Sequence, residues 1–546
     1  MSHNIYELFA TKFADAIDAP FLTIPRVGGV GGVGGEHDAE SEVTEDAPGE
    51  PTAEDTTLTT ESLTYRQVDQ RSVAMAAALA QAGATPGDRI VVQVDKSADA
   101  VALYLACLRA GLVFVPLNTA YTPEEVGFFL GDADPAAFVY KSGRGSKLLP
   151  VAEIADVPVS LSLNSRGGGT LAQAADANAD APATVVERGP DDVACMVYTS
   201  GTTGRSKGAM LTNAGIATNA RALHAIWRFR PGDVLLHCLP IFHIHGLFVA
   251  LHCAMLNGSE VLFLPRFDVD DVRALLPRAT VMMGVPTHYA RLLADPDFGP
   301  DGCADVRLFT CGSAPLSEPV FHEFIRRTGH TICERYGMTE TGIIASNPPE
   351  GQRIAGTVGF ALPEMEMRVA DEKDEALGPD EIGEVQVRGP HLFAGYWGLE
   401  NKTAESNTGD GFFKTGDIGS MAADGRLTLA GRSSDMIISG GYNVYPKEIE
   451  LALDQLDGVS ESAVVGLNHP DFGEAVTAFV VADLRDDHEP PIDETALRDS
   501  VEDSLANFKR PKRYIFLDEL PRNSMGKVQK ANLRETYAEL YGNLAL

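Results

Sequence analysis

A chain of 546 residues is too long for one hydrophobic core, so two to four domains are expected. Its 44 basic residues against 77 acidic ones give a formal charge of −33, which argues against nucleic acid and anionic membrane as main partners. The acidic excess runs along the whole chain and arginine outnumbers lysine, the pattern of a surface kept hydrated in a salt-rich (halophilic) cytosol, with an ordinary acidic protein as the alternative.

Residues 4–25 have the pattern of a short amphipathic helix and a strand. The glycine-rich run 27–35 leads into a stretch with ten acids and no Lys or Arg between Glu36 and Glu61, so 27–61 is expected to be a disordered acidic insert. Order resumes at 63–65, with a helix to 82, a strand at 89–94, a helix at 98–110 and a strand at 113–116. Residues 193–198 read as a buried strand. Beyond them, helices at 213–229, 245–256, 269–276, 287–293 and 317–327 alternate with strands at 234–238, 261–264, 281–283, 306–310 and 331–333. Such alternation builds parallel sheets from βα units. From about 355 the pattern changes to short strands with Gly and Pro turns. The expected fold class is therefore α/β. A large N-terminal domain over 1–434 has parallel βα layers, with a β-rich subdomain at 355–434, and a small α+β C-terminal domain covers 435–546.

Seven cysteines lie mostly in apolar runs without a Cys-x-x-Cys pair, which suggests a reducing compartment and no structural zinc. No run approaches the ~18 apolar residues of a membrane span, and the N-terminus lacks a signal-peptide layout. A cytoplasmic protein without integral membrane association is expected.

Residues 198–208, Tyr-Thr-Ser-Gly-Thr-Thr-Gly-Arg-Ser-Lys-Gly, hold three glycines, five Ser or Thr hydroxyls and one lysine. Glycines let the backbone turn close to a ligand, hydroxyls and amides donate to phosphate oxygens, and Lys207 adds positive charge. The spacing is not that of a Walker A loop. By composition alone it could equally be a flexible surface loop. Five further motifs follow in order: Leu-Pro-Ile-Phe-His-Ile-His-Gly at 239–246, Tyr-Gly-Met-Thr-Glu at 336–340, Thr-Gly-Asp at 415–417, Gly431-Arg432 with Asp435, and Pro-Arg-Asn-Ser-Met-Gly-Lys at 521–527. Together the six resemble the adenylate-forming superfamily of acyl-CoA synthetases, luciferases and adenylation domains. The resemblance spans nearly the whole chain apart from the acidic insert.

It implies an AMP-forming acid–CoA ligase that uses ATP, Mg²⁺ and coenzyme A. Thr199, Ser200, Gly201, Thr202, Thr203, Gly204 and Lys207 would hold the β- and γ-phosphates, and Glu340 with Thr203 would support Mg²⁺. Gly312, Ser313, Ala314 and Pro315 with Glu334, Arg335, Tyr336, Gly337 and Thr339 would form the adenine side. Asp417 would accept the ribose hydroxyls with Arg432 beside it. Lys527 would bridge carboxylate and α-phosphate oxygens, so Lys527, Thr203, Glu340 and His243 are the catalytic candidates. Asp435 aligns with a hinge about which the C-terminal domain rotates, exchanging Lys527 for Ser439, Gly440 and Gly441, which line the CoA channel. Read without the resemblance, Asp417 is a turn residue, Tyr336 a core aromatic, His243 a strand-end histidine and Lys527 a solvated charge.

Within the superfamily the chain is most similar to malonyl-CoA synthetases, through Asn-Thr-Ala-Tyr at 118–121, Gly-Val-Pro-Thr-His-Tyr-Ala-Arg-Leu-Leu at 284–293 and Tyr-Asn-Val-Tyr-Pro-Lys-Glu-Ile-Glu at 442–450. A small malonate-like acid is thus the expected substrate, with Arg291 pairing with its distal carboxylate and His243, Ser313 and Ile343 lining the pocket. Arg291 would otherwise read as a helix-surface ion-pair partner. Where malonate-specific relatives carry Met-Asn, this chain has Ile343-Ile344. The alternatives are a short-, medium- or long-chain fatty acyl-CoA synthetase, a luciferase-like oxygenase, and a silent nucleotide-binding protein, which would be expected to lose Lys527, Glu340 or Asp417.

Overall fold

The computed structural model describes residues 3–27, 58–199, 206–483, 492–502, 505–523 and 526–541. Two large sheets dominate it. In the first, strands Pro20–Val27, Glu260–Phe263, Val234–His237, Val281–Gly284, Leu308–Cys311 and Ile332–Met338 run parallel. The second has the order 395–396, 207–212, 193–199, 113–116, 89–93, 137–141, 159–163, parallel except at the 395–396 end. Helices fill the space between, and the main core buries Phe9, Tyr65, Tyr104 and Trp227 completely. The Trp227 indole N–H donates to Ser346 Oγ at 3.1 Å, so its one polar atom is satisfied inside that core.

One expectation is refined and one changes. The β-rich stretch after 355 continues the first large sheet. Strand Gly342–Ser346 folds back antiparallel on Ile332–Met338, and Thr357–Ala361, Leu427–Arg432, Phe413–Met421, Ile382–Arg388 and Glu366–Ala370 extend the same sheet to 13 strands among the described residues. The acidic insert is also shorter than expected. Strand Leu58–Thr64 pairs antiparallel with Pro20–Val27, so both ends of 27–61 belong to the sheet. Residues 28–57 lie outside the described residues. Helix Tyr65–Gln81 starts where it does because Thr64 and Gln67 form a reciprocal capping box, satisfying two otherwise orphaned amides.

His245–Leu251 is a π-helix leading into α-helix His252–Asn257, where one continuous α-helix was expected. π-turns of this kind frequently mark functional sites. The C-terminal part has its own sheet, with Val459–His469 and Gly473–Ala482 at its centre, and its own two small cores. The chain passes into it through the short 3₁₀ turn Ser433–Asp435. Among the described residues no helix is long and apolar enough to cross a membrane.

Candidate active site

The glycine-rich loop joins strands Val193–Thr199 and Lys207–Thr212, whose last and first residues are register partners. Ser200, Gly201, Thr202, Thr203 and Gly204 lie outside the described residues. At the base of the loop, Thr199 Oγ1 donates to Glu340 Oε1 at 3.3 Å, and the Tyr396 hydroxyl donates to the same oxygen at 3.0 Å. Lys207 Nζ sits 4.2 Å from the centroid of the Tyr396 ring, a cation–π contact. Glu340 Oε2 has no hydrogen bond among the described residues, and no group of three or more His, Cys, Asp or Glu there forms a metal cage. A lone carboxylate with neighbouring hydroxyls suits Mg²⁺, which is usually held by one or two carboxylates together with substrate phosphates.

A second group sits on the antiparallel extension of the sheet. Asp417 and Arg432 face each other in register, and Arg432 Nε lies 2.9 Å from Asp417 Oδ1. The Tyr336 hydroxyl donates to Asp417 Oδ2 at 2.5 Å, and the Thr415 hydroxyl accepts the Asp417 amide at 3.0 Å. Both carboxylate oxygens are thus oriented. Lys527 reaches this group from the C-terminal domain. Its side chain is exposed, yet the crowding protein lowers its pKa, followed by repulsion from Arg432, while Asp417 and Asp435 act oppositely. Gly526 beside it has φ +74°, and a Cβ there would come within 2.7 Å of Thr287 Oγ1, so only glycine lets this loop close against helix Pro286–Ala294. Asp435 pairs with Arg534 of the C-terminal part at 2.6 Å.

The third group is buried. Arg335 is 5% exposed and packs so closely on Gly312 that a Cβ at 312 would collide with the guanidinium. Its Nε and Nη2 have no hydrogen-bond partner among the described residues, and no carboxylate pairs with it. Burial holds its pKa down at about 10. The adjacent Glu334 is no counter-ion, because burial pushes its carboxyl up to about 8. Beside Arg335 stand two histidines kept neutral: His243 is lowered to about 4 and His245 well below its ordinary value, by burial first and Arg335 second. The His245 amide donates to His243 Nδ1 at 3.2 Å, and Ser313 Oγ lies 3.2 Å from His245 Nδ1. Ser313 adopts φ +72°, a left-handed conformation that costs energy without glycine and marks a constrained turn. The turn 312–315 therefore touches the third group, Gly312 against Arg335 and Ser313 against His245.

Five candidates fall elsewhere. Arg291 is exposed on its helix, with no ion pair among the described residues; its charge lowers the pKa of His288, after burial. Ile343 is fully buried in the main core, its backbone N–H and C=O both held by Asn219. Ser439, Gly440 and Gly441 form the turn between strands Ile437–Ser439 and Tyr442–Val444, with Gly440 N–H donating to Phe472 O. Gly337 and Thr339 are half-buried between the first two groups. Sequence reasoning missed Tyr396 and His245. The Gly-Tyr-Trp at 395–397 and the second histidine of 239–246 were the available signals.

The AMP-binding enzyme model matches residues 43–397 and the AMP-binding enzyme C-terminal domain model matches 448–527. The malonate–CoA ligase of Arabidopsis thaliana is 36% identical over 481 residues, covering 83% of this chain and 79% of that protein. The long-chain-fatty-acid–CoA ligase of Salmonella typhimurium is 31% identical, with 87% and 90% covered. Among solved structures, ATP-bound MatB from Rhodopseudomonas palustris is 42% identical, covers 99% of this chain and 100% of that one, and superposes with a TM-score of 0.88. The apo form of the same protein superposes less well, at 0.79. With matches this long, the chain belongs to the AMP-binding enzyme family.

Proposed function

We infer that this protein is an AMP-forming acid–CoA ligase acting on a small dicarboxylic acid of the malonate type. The observation that carries the substrate class is the unpaired Arg335 guanidinium, a buried cation whose counter-ion a ligand must supply. Arg335, rather than the exposed Arg291, is therefore assigned the distal carboxylate, while the 36% and 42% identities to a malonate–CoA ligase and to MatB support a malonate-type substrate. His243 and His245, neutral at physiological pH, form polar walls that add no competing charge.

In the first half-reaction a carboxylate oxygen attacks the α-phosphorus of ATP, and pyrophosphate leaves. Lys207, Thr199 and the rest of the glycine-rich loop hold the β- and γ-phosphates. Asp417 accepts the ribose hydroxyls, its orientation set by Tyr336, Thr415 and Arg432. Lys527 stabilises charge between the attacking carboxylate and the α-phosphate, where a fixed donor is worth most. Mg²⁺, held by Glu340 with Thr203, would neutralise phosphate charge. In the second half-reaction the CoA thiolate attacks the acyl carbonyl and AMP leaves. Lys527 must then withdraw. The domain boundary at 434/435 and the hinge at Asp435, with the Ser439, Gly440 and Gly441 turn brought to the thiol channel, supply the rotation. The seven cysteines, all free and buried, suit a reducing cytoplasm.

The test is pyrophosphate release with malonate and with propionate, which has the same carbon count and one carboxylate fewer. Two charge-assisted hydrogen bonds to Arg335 favour malonate by about 10²-fold or more in kcat/KM. Equal rates would remove the dicarboxylate assignment.

A further inference from the structure

Tyr396 stands at the meeting point of the phosphate-loop hairpin and the Glu340 segment. The short strand Gly395–Tyr396 pairs antiparallel with Lys207–Thr212, with Tyr396 opposite Ala209, and Trp397 N–H donates to Gly208 O at 2.8 Å. This pairing fixes the tyrosine directly beside the residue that begins the strand, Lys207. On the other side, the Phe393 amide donates to the Glu340 carbonyl at 2.7 Å, and the Phe393 ring meets Tyr396 edge-on at 4.8 Å. Tyr396 is only 5% exposed. Its two functional surfaces are both occupied: the hydroxyl by Glu340 Oε1 and the ring face by Lys207 Nζ.

We propose that Tyr396 is a positioning residue for the triphosphate site, whose hydroxyl aims the Glu340 carboxylate and whose ring holds the Lys207 ammonium. One rigid side chain thereby sets the distance between the cation that meets phosphate and the carboxylate that meets the divalent metal. Without it, Lys207 and Glu340 would be free to collapse into a direct ion pair, each neutralising the group the nucleotide needs. The proposal rests on the reading of this loop as the ATP site.

The test separates hydroxyl from ring. Mn²⁺ binding, followed by EPR with a non-hydrolysable ATP analogue, is measured on the full-length protein and on Tyr396→Phe and Tyr396→Leu. A hydrogen bond to a charged group makes about a tenfold difference, so Tyr396→Phe should weaken Mn²⁺ binding about tenfold. Affinity for metal-free analogue should hold within about threefold, because the ring still carries Lys207. Tyr396→Leu should weaken both. Conversion of supplied acyl-adenylate and CoA to thioester should be unchanged in Tyr396→Phe, as should its thermal midpoint. Mn²⁺ affinity in Tyr396→Phe equal to that of the unaltered protein would overturn the proposal, as would a lowered midpoint with uniform loss of both half-reactions. Failure of the unaltered protein to bind nucleotide would overturn the functional reading, and this proposal with it.

Discussion

Replacing Arg335 by methionine should make the empty protein more stable and the enzyme far worse at its own substrate. Arg335 is 5% exposed, two of its guanidinium nitrogens are unpaired among the described residues, and burial holds its pKa down at about 10. A fall of that size from the ordinary arginine range corresponds to about 3 kcal/mol. The charged form is the disfavoured one in the folded state, so the cost is fully present at every pH below about 10, pH 7 included, and lifts only above it. Methionine matches the length of the stem and removes the charge, as in other cases where an apolar residue replaces a buried ion. The thermal midpoint should therefore rise by a few degrees. Binding of a ligand carboxylate relieves the same cost, so malonate should stabilise the unaltered protein and not Arg335→Met. In pyrophosphate release, malonate kcat/KM should fall about 10²-fold, while propionate changes by less than about threefold. A lowered midpoint with equal loss on both acids would refute the reasoning and make Arg335 a packing residue.

Lys527→Ala should lose adenylate formation by about 10²–10³-fold, yet convert supplied acyl-adenylate and CoA to thioester at near the unaltered rate; equal loss in both half-reactions would remove the domain rotation. Because the lysine must be protonated to act and its pKa is lowered by crowding and by Arg432, adenylation should decline on the alkaline side below the ordinary lysine range. That limb should move upward in Lys527→Arg. Tyr336→Phe removes the bond that orients Asp417 and should raise the KM for ATP about three- to tenfold with little change in the KM for malonate. Added KCl should raise activity if the charge of −33 reflects a salt-rich interior, and a maximum in dilute buffer would exclude that origin.

The βα alternation was legible because period-2 and period-3.6 patterns are local, and the parallel strands lie where the apolar runs predict them. The continuation of the same sheet through Gly342–Ser346 and Thr357–Ala361 was not, because it depends on pairing between strands far apart in sequence, such as Thr357 with Thr428. The six motifs picked out, in order, most of the described residues that the fold gathers into the candidate site. They could not tell which arginine is buried. Arg291 sits on an amphipathic helix, where a charge is free to turn toward solvent, whereas Arg335 follows Glu334 inside a strand flanked by Ile332, Cys333 and Tyr336, all buried. Two charges inside a buried strand were the legible signal that something unusual is held there. Tyr396 gave only an aromatic dipeptide, Tyr-Trp, and its role is visible only once the hairpin and Glu340 are seen to converge on it.

The most direct test of the account is the fate of oxygen in a single reaction mixture. Malonate labelled with ¹⁸O in both carboxylates is incubated with the protein, ATP, Mg²⁺ and CoA, and the products are weighed by mass spectrometry. Attack of a carboxylate oxygen on the α-phosphorus, followed by thiol displacement of AMP, leaves one ¹⁸O in AMP, none in pyrophosphate, and three in malonyl-CoA. Unlabelled AMP, label in a released phosphate, or no thioester would contradict it.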